Sequence, residues 1–231
     1  MIPNNAIQRV FQIQVNNSTG TCFTVEHKNK QYIVTAKHIV AEIEEKTTIE
    51  IFHNKQWKTI EVQLVGFADN PIDIAVLTTD IQISPLYPLP ATAKGSVYGQ
   101  DVYFLGFPYG LYEHVGEMNN NFPLPFVKKA TLSSMSLTDE IQIYYLDGHN
   151  NPGFSGGPVV FKEPYPTEKD FKILGVISGY RFESKPIHDE DKTLPYYVKE
   201  NSGIIISYGI KHATDIIEQN PIGFELPPQS F

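Results

Sequence analysis

The stretch NNPGFSGGPV, residues 150–159, is the most informative part of this 231-residue chain. Ser155 stands between glycines there, and Pro158 closes the run. Glycine adopts backbone conformations that other residues avoid, so Gly153 permits a tight turn and Gly157 lets another chain approach closely. Such a turn exposes the serine hydroxyl and can direct neighbouring backbone N–H groups at one point, where they stabilise developing negative charge. A plain glycine-rich β-turn is the alternative interpretation.

Short apolar or alternating segments, separated by turn residues, lie on both sides of this stretch. Twelve read as strands, six on each side of residue 90: residues 6–15, 20–26, 31–35, 47–53, 58–67, 73–79, 101–107, 127–136, 141–146, 158–162, 171–180 and 203–208. Between the halves, residues 83–98 hold three prolines, each of which removes a ladder donor. We therefore predict an all-β fold of two six-stranded antiparallel barrels, with an N-terminal unit at 1–85, a connector at 86–98 and a C-terminal unit at 99–231.

Helical patterns are scarce. Residues 36–45 carry apolar side chains at helical spacing, and His212–Gln219 forms a second helical pattern near the C-terminus. Glu183–Asp191 reads as a polar hairpin insertion. The sequence thus predicts a short helix over residues 36–45 and a short C-terminal helix beside the barrels.

Charge and composition exclude several classes of protein. The chain has 26 Asp and Glu against 18 Lys and Arg and no basic block, so nucleic acid is not expected as a partner. No apolar stretch approaches the about 18 residues of a membrane span, and residues 1–10 lack the pattern of a signal peptide. Cys22 is the single cysteine, which excludes an intrachain disulfide. We expect a cytoplasmic protein without membrane partners.

The histidines outside the central motifs show no spacing typical of a metal site. This holds, together with Cys22, for His27, His53, His114, His188 and His212. We expect neither a metal nor another cofactor.

Two further segments carry side chains that a nucleophilic serine requires. Residues 35–40, TAKHIV, place His38 just after an apolar strand, and residues 70–77, NPIDIAVL, place Asp73 at the mouth of another. A serine hydroxyl is a weak nucleophile until an imidazole removes its proton, and a carboxylate at such a strand needs a charged or donor partner. Taken singly, a surface histidine and a strand-capping aspartate are the plainer interpretations.

These motifs, in the order His38, Asp73, Ser155, resemble the trypsin-like serine peptidases of the chymotrypsin fold, and most of all their bacterial high-temperature-requirement branch. Lesser matches are residues 99–110 and 174–178. The resemblance implies an active site in the cleft between two barrels. It implies an endopeptidase that acts on protein or peptide substrates through an acyl-enzyme.

The resemblance also assigns roles within that site. Ser155 would be the nucleophile, His38 its general base and Asp73 the group that orients the imidazole, while the backbone N–H groups of Gly153 and Ser155 would form the oxyanion hole.

Substrate-binding residues are implied in the same way. His149 and Asn150 would line the primary specificity pocket, where no aspartate stands to select Lys or Arg. We therefore expect preference for an uncharged or acidic residue before the scissile bond. Ser207, Tyr208 and Gly209 resemble the segment whose edge pairs with the substrate backbone, although they also suit an ordinary strand end.

Three features depart from the family pattern. Phe154 stands where zymogen-activated members have an aspartate that pairs with a new N-terminus, so activation by propeptide cleavage is not expected. Ile39 occupies the position that would pair with Cys22 in a disulfide. The chain ends soon after Gln219, so we expect no peptide-binding PDZ module.

Two other functions fit parts of the sequence. Residues 153–157 also satisfy the G-x-S-x-G motif of an α/β-hydrolase esterase, which would require crossover helices and the order serine, acid, histidine. A catalytically inactive protease-fold protein that binds peptides is the second alternative, with Phe154 distorting the oxyanion turn.

Overall fold

The computed structural model describes residues 1–16, 18–87, 89–137, 140–164, 171–189 and 192–227. It is 54% strand and 11% helix, and its strands form two antiparallel rings. The predicted fold class is confirmed. An all-β chain has no parallel sheet covered by helices, so the α/β-hydrolase alternative is wrong.

Six strands form the first barrel. They are β1 (Val10–Val15), β2 (Ser18–His27), β3 (Lys30–Thr35), β4 (Lys46–His53), β5 (Gln56–Phe67) and β6 (Ala75–Thr78). Their order is β3-β2-β1-β4-β5-β6, and β6 pairs again with β3 to close the ring. Two-residue turns with positive φ, Lys28-Asn29 and Asn54-Lys55, close the hairpins β2–β3 and β4–β5, because such turns match the twist of the strands.

Six more strands form the second barrel. They are β7 (Asp101–Gly106), β8 (Phe126–Leu137), β9 (Gln142–Asp147), β10 (Pro158–Lys162), β11 (Phe171–Asp189) and β12 (Lys192–Gly209), in the closed order β10-β11-β12-β9-β8-β7. Buried Phe104, Leu132, Leu146 and Phe161 fill its centre. β11 and β12 are 19 and 18 residues long, so they extend well beyond the lengths of their neighbours.

The C-terminal segment returns to the first barrel. The predicted helix is present as α2 (Lys211–Gln219), and Asn220 after it donates to the Val65 carbonyl oxygen at 2.9 Å. The short β13 (Phe224–Glu225) then pairs with β3. A second helix, α1 (Asn4–Ile7), replaces the start of the first predicted strand, so β1 begins only at Val10.

The helix expected over residues 36–45 does not form. A 3₁₀ turn covers only Lys37–Ile39, and β4 begins at Lys46. Glu42 and Glu45 would lie on one face of a helix, three residues apart, where like charges are destabilising.

Candidate active site

His38 and Asp73 meet at the edge of the first barrel. His38 lies in the 3₁₀ turn after β3, and Asp73 lies just before β6, the strand that pairs with β3. The backbone N–H of His38 donates to Asp73 Oδ1 at 2.9 Å, and Nδ1 donates to Oδ2 at 2.7 Å. Half of the imidazole is exposed. The ring is therefore held by Nδ1 while Nε2 stays available to a proton donor.

Asp73 is held ionised by its neighbours. Burial alone raises the pKa of its carboxyl group, but hydrogen bonds from His38 and Ser178 together outweigh that effect and lower the pKa below 3.8. The carboxylate therefore carries its charge at neutral pH and accepts both hydrogen bonds from His38.

Ser178, on β11, links Ser155 to the His38–Asp73 pair by hydrogen bonds. Ser155 Oγ donates to the Ser178 carbonyl oxygen at 3.1 Å, and Ser178 Oγ donates to Asp73 Oδ2 at 2.6 Å. Within the described residues, Ser155 Oγ makes no hydrogen bond to His38. One residue thus contacts both the serine from the second barrel and the aspartate from the first.

The sequence motifs assign no role to Ser178. Its sequence signals are its position at the end of the apolar run LGVIS, residues 174–178, and the weaker family resemblance of that run. The Ser178 hydroxyl contacts Asp73 and the Ser178 carbonyl oxygen contacts Ser155. These contacts depend on how the two barrels pack together, which the local sequence does not show.

The turn before Ser155 has the conformation that an oxyanion hole needs. Gly153 has φ +103°, and a Cβ there would lie 2.2 Å from the Phe107 carbonyl oxygen. The Pro152 carbonyl oxygen accepts from the Tyr109 N–H at 2.8 Å. A trans peptide points its C=O and N–H in opposite directions, so this bond directs the Gly153 N–H away from Tyr109. In the described part of the chain, neither this N–H nor that of Ser155 has an acceptor.

Thr21, on β2, fixes the carbonyl groups of the same two residues. Its Oγ1 donates to the Gly153 carbonyl oxygen at 2.7 Å, and its backbone N–H donates to that of Ser155 at 2.9 Å. Thr21 is fully buried. The first barrel therefore holds the turn that belongs to the second.

Phe154 points away from the cleft. Its ring is fully buried in the second barrel and meets the ring of Phe104 edge to face, with centroids 4.8 Å apart. The position that carries an acid in zymogen-activated relatives is here an apolar anchor. Because the side chain is packed in the core, it leaves the N–H groups of the turn unobstructed.

The residues expected in the primary pocket are held through their backbones. His149 is exposed, and its carbonyl oxygen accepts from Lys128 Nζ. Asn150 is buried, its carbonyl oxygen accepts from Asn201 Nδ2 at 2.7 Å, and its Oδ1 has no partner among the described residues. Lys128 Nζ also donates to Asn151 Oδ1 at 3.1 Å, so its ammonium group is held beside these two residues.

The expected pairing of substrate with Ser207, Tyr208 and Gly209 is wrong. Ser207 and Tyr208 are buried on β12, which pairs with β11 on one side and with β9 on the other, while Gly209 pairs with Gly175 of β11. A strand with both edges occupied cannot accept another. The free edge near Ser155 belongs to Ser178–Tyr180 on β11, where a Cβ on Gly179 would meet no atom within 4 Å.

No group of three or more His, Cys, Asp or Glu positioned to hold a metal occurs in the described residues. Cys22 is a buried free thiol whose pKa is raised by burial. Neither helix that the structure describes has the length and hydrophobicity needed to cross a bilayer.

Comparison with known proteins agrees with this arrangement. Residues 20–163 match the model of a family described as a trypsin-like peptidase domain. No curated protein sequence matches significantly.

Two solved proteases share the fold. The inactive form of Rv3671c from M. tuberculosis H37Rv has a TM-score of 0.59 and 17% identity, over 94% of this chain and 91% of that one. The HtrA-type protease AlgW with a tripeptide has a TM-score of 0.57 and 19% identity, over 94% of this chain but only 61% of AlgW. At these identities the likeness concerns the fold alone, whereas the family model confirms the resemblance to trypsin-like peptidases.

Proposed function

Because this chain belongs to the family of trypsin-like peptidase domains, we propose that it is a serine endopeptidase that uses Ser155, His38 and Asp73. Ser155 Oγ attacks the scissile carbonyl carbon while His38 Nε2 takes the hydroxyl proton. His38 then gives this proton to the leaving amine as the C–N bond breaks. Water attacks the resulting ester, again with His38 as base, and releases the acid and free Ser155.

The contact of Ser178 with both Ser155 and Asp73 is the observation that carries this proposal. It requires the nucleophile and the His38–Asp73 pair to lie within one residue of each other. Rotation about the Cα–Cβ bond of Ser155 moves Oγ from the Ser178 carbonyl oxygen toward the imidazole. Catalytic hydrogen bonds of free enzymes are often completed only when substrate binds.

The turn supports the same chemistry. Among the described residues the Gly153 and Ser155 N–H groups have no acceptor, and they would bind the oxyanion of the tetrahedral intermediate. Removing one such donor typically lowers the rate by about 10²–10³-fold.

The substrate is a polypeptide in extended conformation. The free edge at Ser178–Tyr180 offers backbone groups for strand addition beside Ser155. Lys128, whose ammonium group lies beside His149 in the proposed pocket wall, supports a preference for an uncharged or acidic side chain before the scissile bond.

One observation favours the alternative of a peptide-binding protein without activity, namely the hydrogen bond that directs Ser155 Oγ to the Ser178 carbonyl oxygen. A fluorophosphonate probe separates the two functions, because it reacts only with an activated serine. We expect wild type and Ser133→Ala, a control at an exposed serine, to be labelled and Ser155→Ala to remain unlabelled. Casein hydrolysis should follow the same pattern. Folded wild type that neither labels nor cuts casein would overturn the peptidase proposal.

A further inference from the structure

The strands β11 and β12 leave the second barrel together as a two-stranded arm, residues 182–189 and 192–201. Their pairing continues from Phe182 opposite Asn201 to Asp189 opposite Lys192. Nearly all of its described side chains are exposed, including Phe182, Tyr196, Tyr197 and Val198. A lone two-stranded hairpin is marginally stable in water, so a third strand would stabilise it.

One edge of the arm continues from the nucleophile. Ile177 exchanges backbone hydrogen bonds with Gly156 and Gly157 beside Ser155. From Ser178 onward, β11 pairs only with β12 in the described residues. Its other edge therefore begins at the Ser178 carbonyl oxygen, which faces Ser155, and runs without interruption onto the arm.

The backbone groups on this edge follow a period of two. Alternate residues of a strand face the same edge, so Ser178 is followed there by Tyr180, Phe182 and Ser184. The irregularity between Tyr180 and Phe182 adds residues to β12 and leaves the alternation of β11 intact. Pro186 is next in the series, and proline is tolerated where a strand N–H would face an unpaired edge. The ladder offered to a partner thus ends after Ser184.

The chemistry of the cleft decides which part of a substrate lies on this edge. His38, in the first barrel, must reach the leaving amine, so the chain that follows the scissile bond lies on that side. The acyl portion must then lie over the second barrel, along β11. If the residue before the scissile bond is opposite Ser178, the third, fifth and seventh residues before it are opposite Tyr180, Phe182 and Ser184.

We propose that the arm extends the substrate-binding edge, so that the enzyme binds about seven residues of unfolded polypeptide ahead of the scissile bond. This rests on the proposed peptidase function. The continuity of the edge with the nucleophile identifies the occupant as substrate. Recognition is mainly through the backbone, which strand addition uses irrespective of sequence. Part of the charge on the arm is paired internally, since Lys185 contacts both Glu183 and Glu200.

A backbone-methylation scan tests this proposal. The probes are synthetic peptides that span one casein cleavage site, with three to nine residues before the bond. We expect kcat/KM to rise up to seven residues and then level off. N-methylation of the fifth residue before the bond should lower kcat/KM about three- to tenfold, by loss of one hydrogen bond, and methylation of the fourth or sixth less than about twofold.

Two proline variants provide matched changes in the protein. Ser184 and Lys199 are directly opposite, so if one carries its N–H outward, the other does too, on the opposite edge of the arm. Ser184→Pro should remove the gain in kcat/KM that the seventh residue provides and leave three-residue peptides unaffected. Lys199→Pro should have the wild-type kcat/KM for both three-residue and seven-residue peptides.

Other results would overturn the arm proposal without touching the peptidase proposal. They are cleavage of short and long peptides with equal kcat/KM, a methylation effect that stops at the third residue, or a dimer in light scattering that Ser184→Pro dissociates. If wild type cuts no peptide, binding of the same methylated series to Ser155→Ala, measured by fluorescence anisotropy, still decides the role of the arm.

Discussion

Thr21 donates its hydroxyl to the carbonyl oxygen of Gly153 at 2.7 Å, across the boundary between the two barrels. Its backbone N–H also holds the carbonyl oxygen of Ser155. The two residues proposed to supply the oxyanion hole thus owe their positions to one buried side chain and one amide of the opposite barrel.

Replacing Thr21 by valine should impair turnover more than binding. Val has nearly the same shape but cannot donate to Gly153, so the turn loses a constraint on the oxyanion N–H groups. We expect kcat to fall about ten- to a hundredfold with little change in KM. Steady-state kinetics check this.

The controls for this variant come from the same strand. Thr24 is equally buried, but its hydroxyl contacts Ser84, so Thr24→Val should retain wild-type kcat. Thr21→Ser keeps the donor and should restore most activity. If Thr21→Val and Thr24→Val lower kcat equally, the loss of activity in Thr21→Val comes from reduced stability of the fold and not from the oxyanion turn.

Ser178→Ala should weaken the His38–Asp73 pair. Asp73 loses one of the hydrogen bonds that lower its pKa, and Ser155 keeps its contact because the Ser178 carbonyl oxygen remains. Hydrogen bonds to charged groups contribute about 1.5–3 kcal/mol, so kcat/KM should fall at least about tenfold. Unchanged kcat/KM, with Ser133→Ala as reference, would exclude a role for this hydroxyl.

Phe154→Ala should destabilise the second barrel. The ring is fully buried against Phe104, so its removal leaves a cavity that costs about 3–5 kcal/mol in the free energy of unfolding. Urea denaturation measures the loss, and Phe126→Ala, at a partly exposed ring, should cost much less. A loss below about 1 kcal/mol would mean that Phe154 is not an anchor.

His212 should make folding sensitive to mild acid. Burial lowers the pKa of its imidazole below 6.5, an effect that Asp215 partly opposes and Lys211 reinforces, and Nε2 accepts from the Gln142 N–H at 3.0 Å. Between the lowered pKa and 6.5 the unfolded chain binds more protons than the folded one, so stability falls as pH drops through that range.

The matched variant is His212→Gln, which removes this titration. The wild-type free energy of unfolding should decrease relative to that of His212→Gln as pH falls from about 7 to 5. Parallel stability curves over that range would contradict the assignment.

Burial patterns explain which elements were predictable. β3 is a short, almost fully buried run, and β4 has buried Ile49 and Ile51 at alternate positions. Both patterns are visible in the sequence, so the predicted Gln31–Thr35 and Thr47–His53 differ from β3 and β4 by a single residue at one end. The arm has no buried face and therefore no alternation, which is why Glu183–Asp191 read only as a polar insertion.

The candidate site shows a similar division. The motifs around His38, Asp73 and Ser155 were visible because special residue types stand beside apolar strands. Ser178 and Thr21 act through contacts between distant strands, which the local sequence does not encode. The predicted pairing of substrate with Ser207–Gly209 is wrong for the same reason. The neighbours of a strand decide which edge is free, and the free edge is at Ser178–Tyr180.

The pairing of the C-terminal β13 with β3 means that the chain passes between the two barrels twice. It crosses from the first barrel to the second between β6 and β7, and α2 and β13 carry it back. Two chain crossings between the barrels resist a hinge-like separation of the barrels better than one crossing does. If the barrels stay together, we expect the proposed substrate to enter the cleft as a locally unfolded, extended segment.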